Sequence, residues 1–172
     1  MAVETIIECG AWDEAHLAEL ADKAFHAVLA HFDLDSDEIE AAVMGCDDAR
    51  IAELNTEFRG KPTPTNVLSW PSEERGAEED GEEPFLPEFN PEDPFGLELG
   101  DIAIAYETCQ REAEAQNKSF DAHVLHLLVH GTMHLLGFDH VREKDAHLME
   151  SIETEILGKM GIADPYSEDD GK

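Results

Sequence analysis

The chain has 172 residues, enough for one domain with a substantial core, and 42% of them are hydrophobic, as in many soluble globular proteins. It carries 41 acidic and 11 basic residues, a formal net charge of −30, which counts against binding of nucleic acid through a broad basic surface. The sequence has no apolar run near the ~20 residues of a membrane span, no signal-peptide pattern and no C-x-x-C pair among its three cysteines. These features predict a cytoplasmic protein without a membrane partner.

Hydrophobic periodicity and turn residues predict four strands and five helices. The predicted strands span residues 2–8, 38–45, 67–70 and 99–105. The predicted helices span residues 14–32, 48–59, 106–118, 120–136 and 142–160. Asp13, Asp47 or Asp48, and Ser119 are the predicted N-caps of the first, second and fourth helices. The sequence therefore predicts an α+β domain, with a small mixed sheet of about four strands packed with about five helices.

One segment differs from the rest in composition. Residues 72–98 contain eleven acidic side chains, one basic side chain and four prolines, which predicts a long acidic loop inserted in the domain. The last ten residues, 163–172, are predicted to form a flexible tail. Neither segment has the pattern of a second domain, so we interpret residues 1–172 as a single domain.

The segment from His130 to His140 contains three histidines with the spacing H-x-x-x-H-x-x-G-x-x-H. Residues four apart lie on one face of a helix, about 6 Å apart along its axis, so His130 and His134 can share one metal ion. Gly137 stands where a helix ends with a left-handed residue, and a chain that reverses there can bring His140 to the same ion. Three nitrogen ligands and an open fourth position predict a catalytic zinc site on a helix of the C-terminal half.

The same spacing occurs in the metzincin proteases, in which a glutamate follows the first histidine as the general base. Gly131 stands at that position here, so the sequence favours metal binding and disfavours peptidase activity. His126 lies one turn before His130 and is either a fourth ligand, a group that orients a ligand or, as we favour, a packed core histidine. Five histidines without comparable context are interpreted as structural: His16, His26, His31, His123 and His147.

Three stretches together resemble the YbeY family of bacterial metallo-endoribonucleases. They are residues 53–61 running into 64–70, residues 99–102, and the histidine motif with Gly131. The resemblance extends from about residue 38 to about residue 158 and is interrupted by the acidic segment. It implies a zinc-dependent hydrolase that cuts single-stranded RNA, with roles in maturing the 3′ end of small-subunit ribosomal RNA and in ribosome quality control.

The resemblance also assigns residues. The implied ligands of one Zn2+ ion are His130, His134 and His140. A basic residue needed for activity falls on Arg59, so Arg59 and His130 are the predicted catalytic residues. Lys61 is a weaker candidate than Arg59 for a phosphate contact. Asp101 and Asp139 are candidates for orienting a ligand histidine, with capping of a strand end or a turn as the alternative.

The expected partners are single-stranded RNA, ribosomal RNA, and the ribosome or its small subunit with its assembly factors. The net charge of −30 keeps a second class of function open, a ribosome-assembly binding factor whose metal is structural. A metallopeptidase is a third, less favoured hypothesis because of Gly131. The histidine segment does not itself supply a general base.

Overall fold

The computed structural model describes residues 3–32, 39–60, 63–71, 97–138 and 143–162. Within these ranges, four strands and five helices follow one another in the predicted order, so the α+β class and the small mixed sheet are confirmed. The strands are β1 (Val3–Ile7), β2 (Ile39–Cys46), β3 (Val67–Pro71) and β4 (Leu97–Ala105). The helices are α1 (Glu14–His31), α2 (Asp48–Arg59), α3 (Tyr106–Ala115), α4 (Phe120–Leu135) and α5 (Glu143–Lys159). The tail over 163–172 and residues 72–96 of the acidic segment lie outside the described residues.

The helix starts follow the predicted capping residues. Asp13 accepts the backbone N–H of Ala15, and Ser119 accepts that of Ala122, each at 3.1 Å. Asp47 rather than Asp48 caps α2, since its carboxylate accepts the N–H of Arg50 at 2.8 Å. Each cap satisfies a backbone donor that the first turn of a helix leaves unpaired.

Helix α3 is shorter than predicted, because its end is decided by backbone conformation. It stops at Ala115, and Asn117 then adopts a φ of 60°, a left-handed conformation that asparagine tolerates better than most residues. The N–H of Lys118 donates to the carbonyl of Ala113 at 2.9 Å and closes the helix end. Strand β4 is longer than predicted, because Leu97 pairs with Ile39 of β2.

The sheet has the strand order β1-β2-β4-β3. Strands β1, β2 and β4 are mutually parallel, and β3 is antiparallel to β4 at the edge. The central strand β4 is buried on both faces from Ile102 to Ala105. Its isoleucines, Ile102 and Ile104, face the main core, while Ala103 and Ala105 face a smaller cluster with Ile51 and Leu54 of α2. Alternate residues of a strand point to opposite faces, so β4 separates two unequal layers.

Helix α4 lies at the centre of the larger layer and contacts α1, α3, α5, β3 and β4. No helix in the described part of the chain is long and apolar enough to cross a membrane. The apolar residues of α4 are instead buried inside the protein, among them Val124, Leu128, Val129, Met133 and Leu135. Truncating one buried leucine to alanine in such a core typically costs about 2–5 kcal/mol.

The absence of a side chain at Gly131 lets α4 approach β4 closely. A Cβ atom there would lie 3.2 Å from Cδ1 and 3.3 Å from Cγ2 of Ile102, which is 2% exposed. Such contacts are tighter than ordinary van der Waals packing, so Ile102 would have to shift by a few tenths of an ångström to admit even a methyl group at this position. A glutamate at position 131 would point into the main core and not toward a metal ion.

We expect Gly131→Glu to lower the free energy of unfolding by about 3 kcal/mol or more, since it overpacks the core and buries a carboxylate. Chemical denaturation measures the change. Gly158→Ala is the matched control, since Gly158 lies in α5 and a Cβ there meets nothing within 4 Å. Its expected effect is between zero and about 1 kcal/mol of stabilisation. Equal stability of Gly131→Glu and the wild type would contradict the close approach of α4 and β4.

Candidate metal centre

His130 and His134 lie one turn apart on α4, and both are half-buried. Their Nε2 atoms are 3.1 Å apart, and their ring centroids are 4.6 Å apart. Two nitrogens that bind one tetrahedral zinc ion at about 2.05 Å are separated by about 3.3 Å. The observed separation therefore fits two ligands of one ion, and the structure brings together the two rings that the sequence spacing selects.

The turn after α4 follows the pattern predicted for Gly137. Gly137 has a φ of 108°, which favours glycine. Its N–H donates to the carbonyl of His134 at 3.0 Å, and the N–H of Phe138 donates to that of Met133 at 3.1 Å. These two hydrogen bonds form a Schellman motif, which reverses the chain at a helix C-terminus. The helix that carries the ligand pair therefore ends at a defined point, at Leu135 with Leu136 as its C-cap.

Phe138 anchors the chain just beyond this turn. It is 4% exposed and packs against Phe32 at the end of α1, with ring centroids 5.4 Å apart. Asp139 and His140 follow directly but lie outside the described residues, so the roles predicted for them stay predictions. Within the described ranges, no group of three or more His, Cys, Asp or Glu side chains is arranged to hold a metal ion. A metal bound to the pair on α4 therefore requires another ligand, and His140 is the one that the sequence predicts.

Glu153 is a site residue that the sequence analysis missed. Its side chain is 0% exposed, and its Oε1 lies 2.5 Å from Nδ1 of His130. It belongs to the face of α5 that also buries Met149, Ile152 and Ile156. The sequence did contain a signal for this residue, since Glu153 stands at helical spacing among the apolar residues of α5. A carboxylate buried in such a stripe requires a partner.

Two further histidines, His126 and His123, lie on α4 between its N-terminus and His130. The rings of His126 and His130 have centroids 6.3 Å apart. Burial lowers the pKa of His126 to about 4, and this effect outweighs the nearby charge of Glu153, so His126 is neutral at neutral pH. His123 is 3% exposed, and its Nε2 lies 2.9 Å from the Glu112 carboxylate of α3. That contact joins α4 to α3, consistent with a structural role for His123.

Asp101 is not placed beside the histidine pair. Ile102 faces α4 and contacts Gly131, so the preceding residue of the strand points to the opposite face of the sheet. There Asp101 is exposed and lines a groove of about 300 Å³ with Ala42, Met44 and Trp70. The structure thus separates Asp101 from the ligands that it was predicted to orient.

Of the two predicted phosphate contacts, Arg59 lies in the described part of the chain. Arg59 is the last residue of that helix, and Gly60 follows as its C-cap with a φ of 69°. Lys61 lies outside the described residues. The carbonyl of Thr63 accepts the side-chain N–H of Asn55 at 2.9 Å. This hydrogen bond joins Thr63 to α2.

Fold and site together define an α+β domain with a histidine pair suited to a metal ion. A family model described as Endoribonuclease YbeY matches residues 5–161 of the chain. An Endoribonuclease YbeY from Ruegeria sp. (strain TM1040) is 54% identical over 172 residues and covers 99% of each chain. Another from Cereibacter sphaeroides is 59% identical over 164 residues, which are 95% of this chain and 98% of that protein. The chain therefore belongs to the YbeY endoribonuclease family.

A solved structure agrees at the level of the fold. The solution structure of a protein from Thermotoga maritima matches with a TM-score of 0.55 and covers 99% of both chains. The two sequences are 21% identical, so this likeness concerns the fold alone. It shows the arrangement of strands and helices in a second, distant sequence.

We expect Gly137→Ala to weaken zinc binding, because the strained turn no longer directs the chain beyond Phe138 along the same path. Gly161→Ala is a matched control. Gly161 has a φ of 80° and closes α5 with the same pair of hydrogen bonds, from Gly161 to Gly158 and from Ile162 to Leu157. Both variants should lose about 1 kcal/mol of stability in chemical denaturation.

Only Gly137→Ala should lose zinc affinity in a chelator competition. Equal affinities of the two variants would show that the turn after α4 does not position a ligand.

Proposed function

We propose that this chain is a zinc-dependent endoribonuclease that cuts single-stranded RNA. We propose further that it acts in maturing the 3′ end of small-subunit ribosomal RNA and in ribosome quality control, in the cytoplasm. The observation that carries the proposal is the pair of Nε2 atoms of His130 and His134, 3.1 Å apart, in a chain of the YbeY endoribonuclease family.

The residues of the site fit one zinc ion. His130 and His134 would hold it through their Nε2 atoms, and His140 would be the third ligand. A bound zinc ion supplies a Lewis acid that activates water near neutral pH and polarises a phosphoryl oxygen. Imidazole ligands are neutral, so they leave the charge of the ion available to the phosphate.

Arg59 is the proposed phosphate contact on the protein side. A guanidinium offers several N–H donors in a fixed plane, which suits two phosphate oxygens at once. By donating to the phosphate, Arg59 would offset charge that develops as the phosphodiester reacts. Lys61, two residues further on, is the second candidate for this contact.

The charges of the described residues support delivery of the protein by a partner. The two arginines whose side chains are described are both engaged by carboxylates. Arg50 pairs with Glu8 at 2.9 Å and with Glu53 at 3.4 Å, and Arg111 pairs with Asp48 at 2.9 Å. With a net charge of −30, long-range attraction to RNA is unfavourable. We therefore propose the small ribosomal subunit or an assembly factor as the recruiting partner.

Two other functions are less well supported. A ribosome-assembly factor with a structural metal is favoured by the acidic charge, but a half-buried ligand pair suits a site that substrate can reach. A metallopeptidase would need a general base beside the first histidine, and the residue there is Gly131, which packs against Ile102 and has no side chain to act as one.

We expect His134→Ala to lose bound zinc and to lower the cleavage of single-stranded RNA by at least about 100-fold, since one ligand is removed. Metal content is measured by elemental analysis, and cleavage by the release of labelled fragments. His147→Ala is the control, because His147 is exposed on α5. It should match the wild type in both measurements.

The same preparations are incubated with an unstructured protein. Cutting of that protein, and not of RNA, would support the peptidase. Full zinc occupancy of the wild type with neither substrate cut would rule out both enzymes and favour the binding factor.

We expect Arg59→Ala to lower RNA cleavage by about 100-fold, because a charge-assisted contact to the reacting phosphate is lost. Zinc content should not change. Arg50→Ala, which removes a cation from the same helix, is the matched control and should cleave RNA at the wild-type rate. If both variants lost activity equally, overall charge and not a phosphate contact would explain the role of Arg59.

A further inference from the structure

Glu153 places a carboxylate where a helix would ordinarily bury an apolar side chain. It is 0% exposed on α5, and Met149, Ile156 and Leu157 on the same face are buried with it. Burying a charged group without a strong partner is unfavourable, and an apolar residue of similar size is often more stabilising at such a position. A role beyond packing is therefore expected of the carboxylate.

The contact of Glu153 with His130 defines that role. Oε1 of Glu153 lies 2.5 Å from Nδ1 of His130, a short distance for a hydrogen bond. In the hydrogen bond in which the carboxylate accepts, Nδ1 of His130 is the donor and carries the proton. The other ring nitrogen, Nε2, then presents a lone pair, and it faces Nε2 of His134 at 3.1 Å. The hydrogen bond thus selects the tautomer in which His130 can bind a metal through Nε2.

We propose that Glu153 is the positioning residue of the metal centre. It fixes the ring orientation and the tautomer of His130, and its negative charge makes Nε2 a stronger donor to a cation. This inference rests on the proposed zinc-dependent function, since it concerns the same site. It gives α5 a part in the site, although α5 contributes no metal ligand among the described residues.

A direct part in proton transfer to substrate is ruled out by burial. A general base must come within hydrogen-bonding distance of the proton that it removes, directly or through one water. Glu153 has no exposed side-chain surface, and His130 lies between its Oε1 and the partner of Nε2. Its effect on the reaction is therefore exerted through His130.

The alternative is that the contact only fastens α5 to α4. A fastening role predicts that loss of the carboxylate destabilises the metal-free protein and leaves its affinity for zinc unchanged. A positioning role predicts a loss of zinc affinity, while the metal-free protein keeps its stability because a buried charge has been removed. Stability and affinity measured on the same variants therefore separate the two roles.

The test compares Glu153→Gln with Glu155→Gln. The first substitution keeps the shape of the side chain and removes its charge. The second removes the same charge two residues further along α5, from a side chain that is 58% exposed. Zinc affinity is measured by chelator competition, and the thermal unfolding of the metal-free proteins is recorded in parallel. We expect the zinc affinity of Glu153→Gln to be about 10- to 100-fold weaker than that of the wild type. The zinc affinity of Glu155→Gln should lie within about twofold of the wild type.

A measurement on the wild type keeps the inference testable even if Glu153→Gln does not fold. The ring 15N shifts of the metal-free protein report which nitrogen of His130 is protonated. Protonation at Nδ1 is expected, and a His130 protonated only at Nε2 would overturn the inference. Wild-type affinity for zinc in Glu153→Gln would also overturn it, as would a wild-type protein that binds no zinc.

The inference and the proposed function can fail separately. If zinc affinity depends on Glu153 but the protein cuts no RNA, the proposed nuclease function is wrong and the positioning role still holds. If Glu153→Gln binds zinc with wild-type affinity and still cuts RNA in a zinc-dependent way, only the positioning role is wrong.

Discussion

The close packing of α4 against β4 is the constraint on which the rest of the structure depends. Gly131 lies against Ile102, and a single added carbon would already be too close to that isoleucine. Because α4 is held at this distance, Met133 and Leu135 are fully buried, and the half-buried part of the helix is the part that presents His130 and His134. The orientation of the ligand pair is thus a consequence of core packing. A helix that rotated by one residue would bury a ligand and expose a leucine.

The candidate metal centre differs in character from the acidic surface. The Nε2 atoms of His130 and His134 face each other, and the Glu153 carboxylate contacts His130 at its other ring nitrogen, Nδ1. In the proposed zinc site, this arrangement would let the Glu153 carboxylate act on the ion through His130, without a direct contact to the phosphate. Elsewhere, Arg50 pairs with Glu8 and Glu53, and Arg111 pairs with Asp48. Among the described side chains, these two guanidinium groups are therefore already paired with carboxylates of the same chain.

Local patterns predicted the order and type of all nine described elements, because each depends on neighbours within a few residues. The Asp13 and Ser119 caps and the Gly137 turn were correct for the same reason, since each is formed by one residue and the adjacent backbone. The sequence predicted the ends of the helices and strands less accurately than their order and type. Strand β4 begins at Leu97 because Ile39 of another strand pairs with it, and α3 ends early because Asn117 adopts a left-handed conformation.

By itself, the sequence determined that two histidines share one face of a helix and that the helix ends just beyond them. Helical periodicity and the conformational freedom of glycine decide both, and neither needs the rest of the chain. Only the tertiary structure decided that Glu153, 23 residues further on, meets His130, and that Asp101 lies on the far face of the sheet. The physical reason is that such contacts depend on which faces pack together. Packing is a property of the whole core, whereas spacing is a property of the local chain.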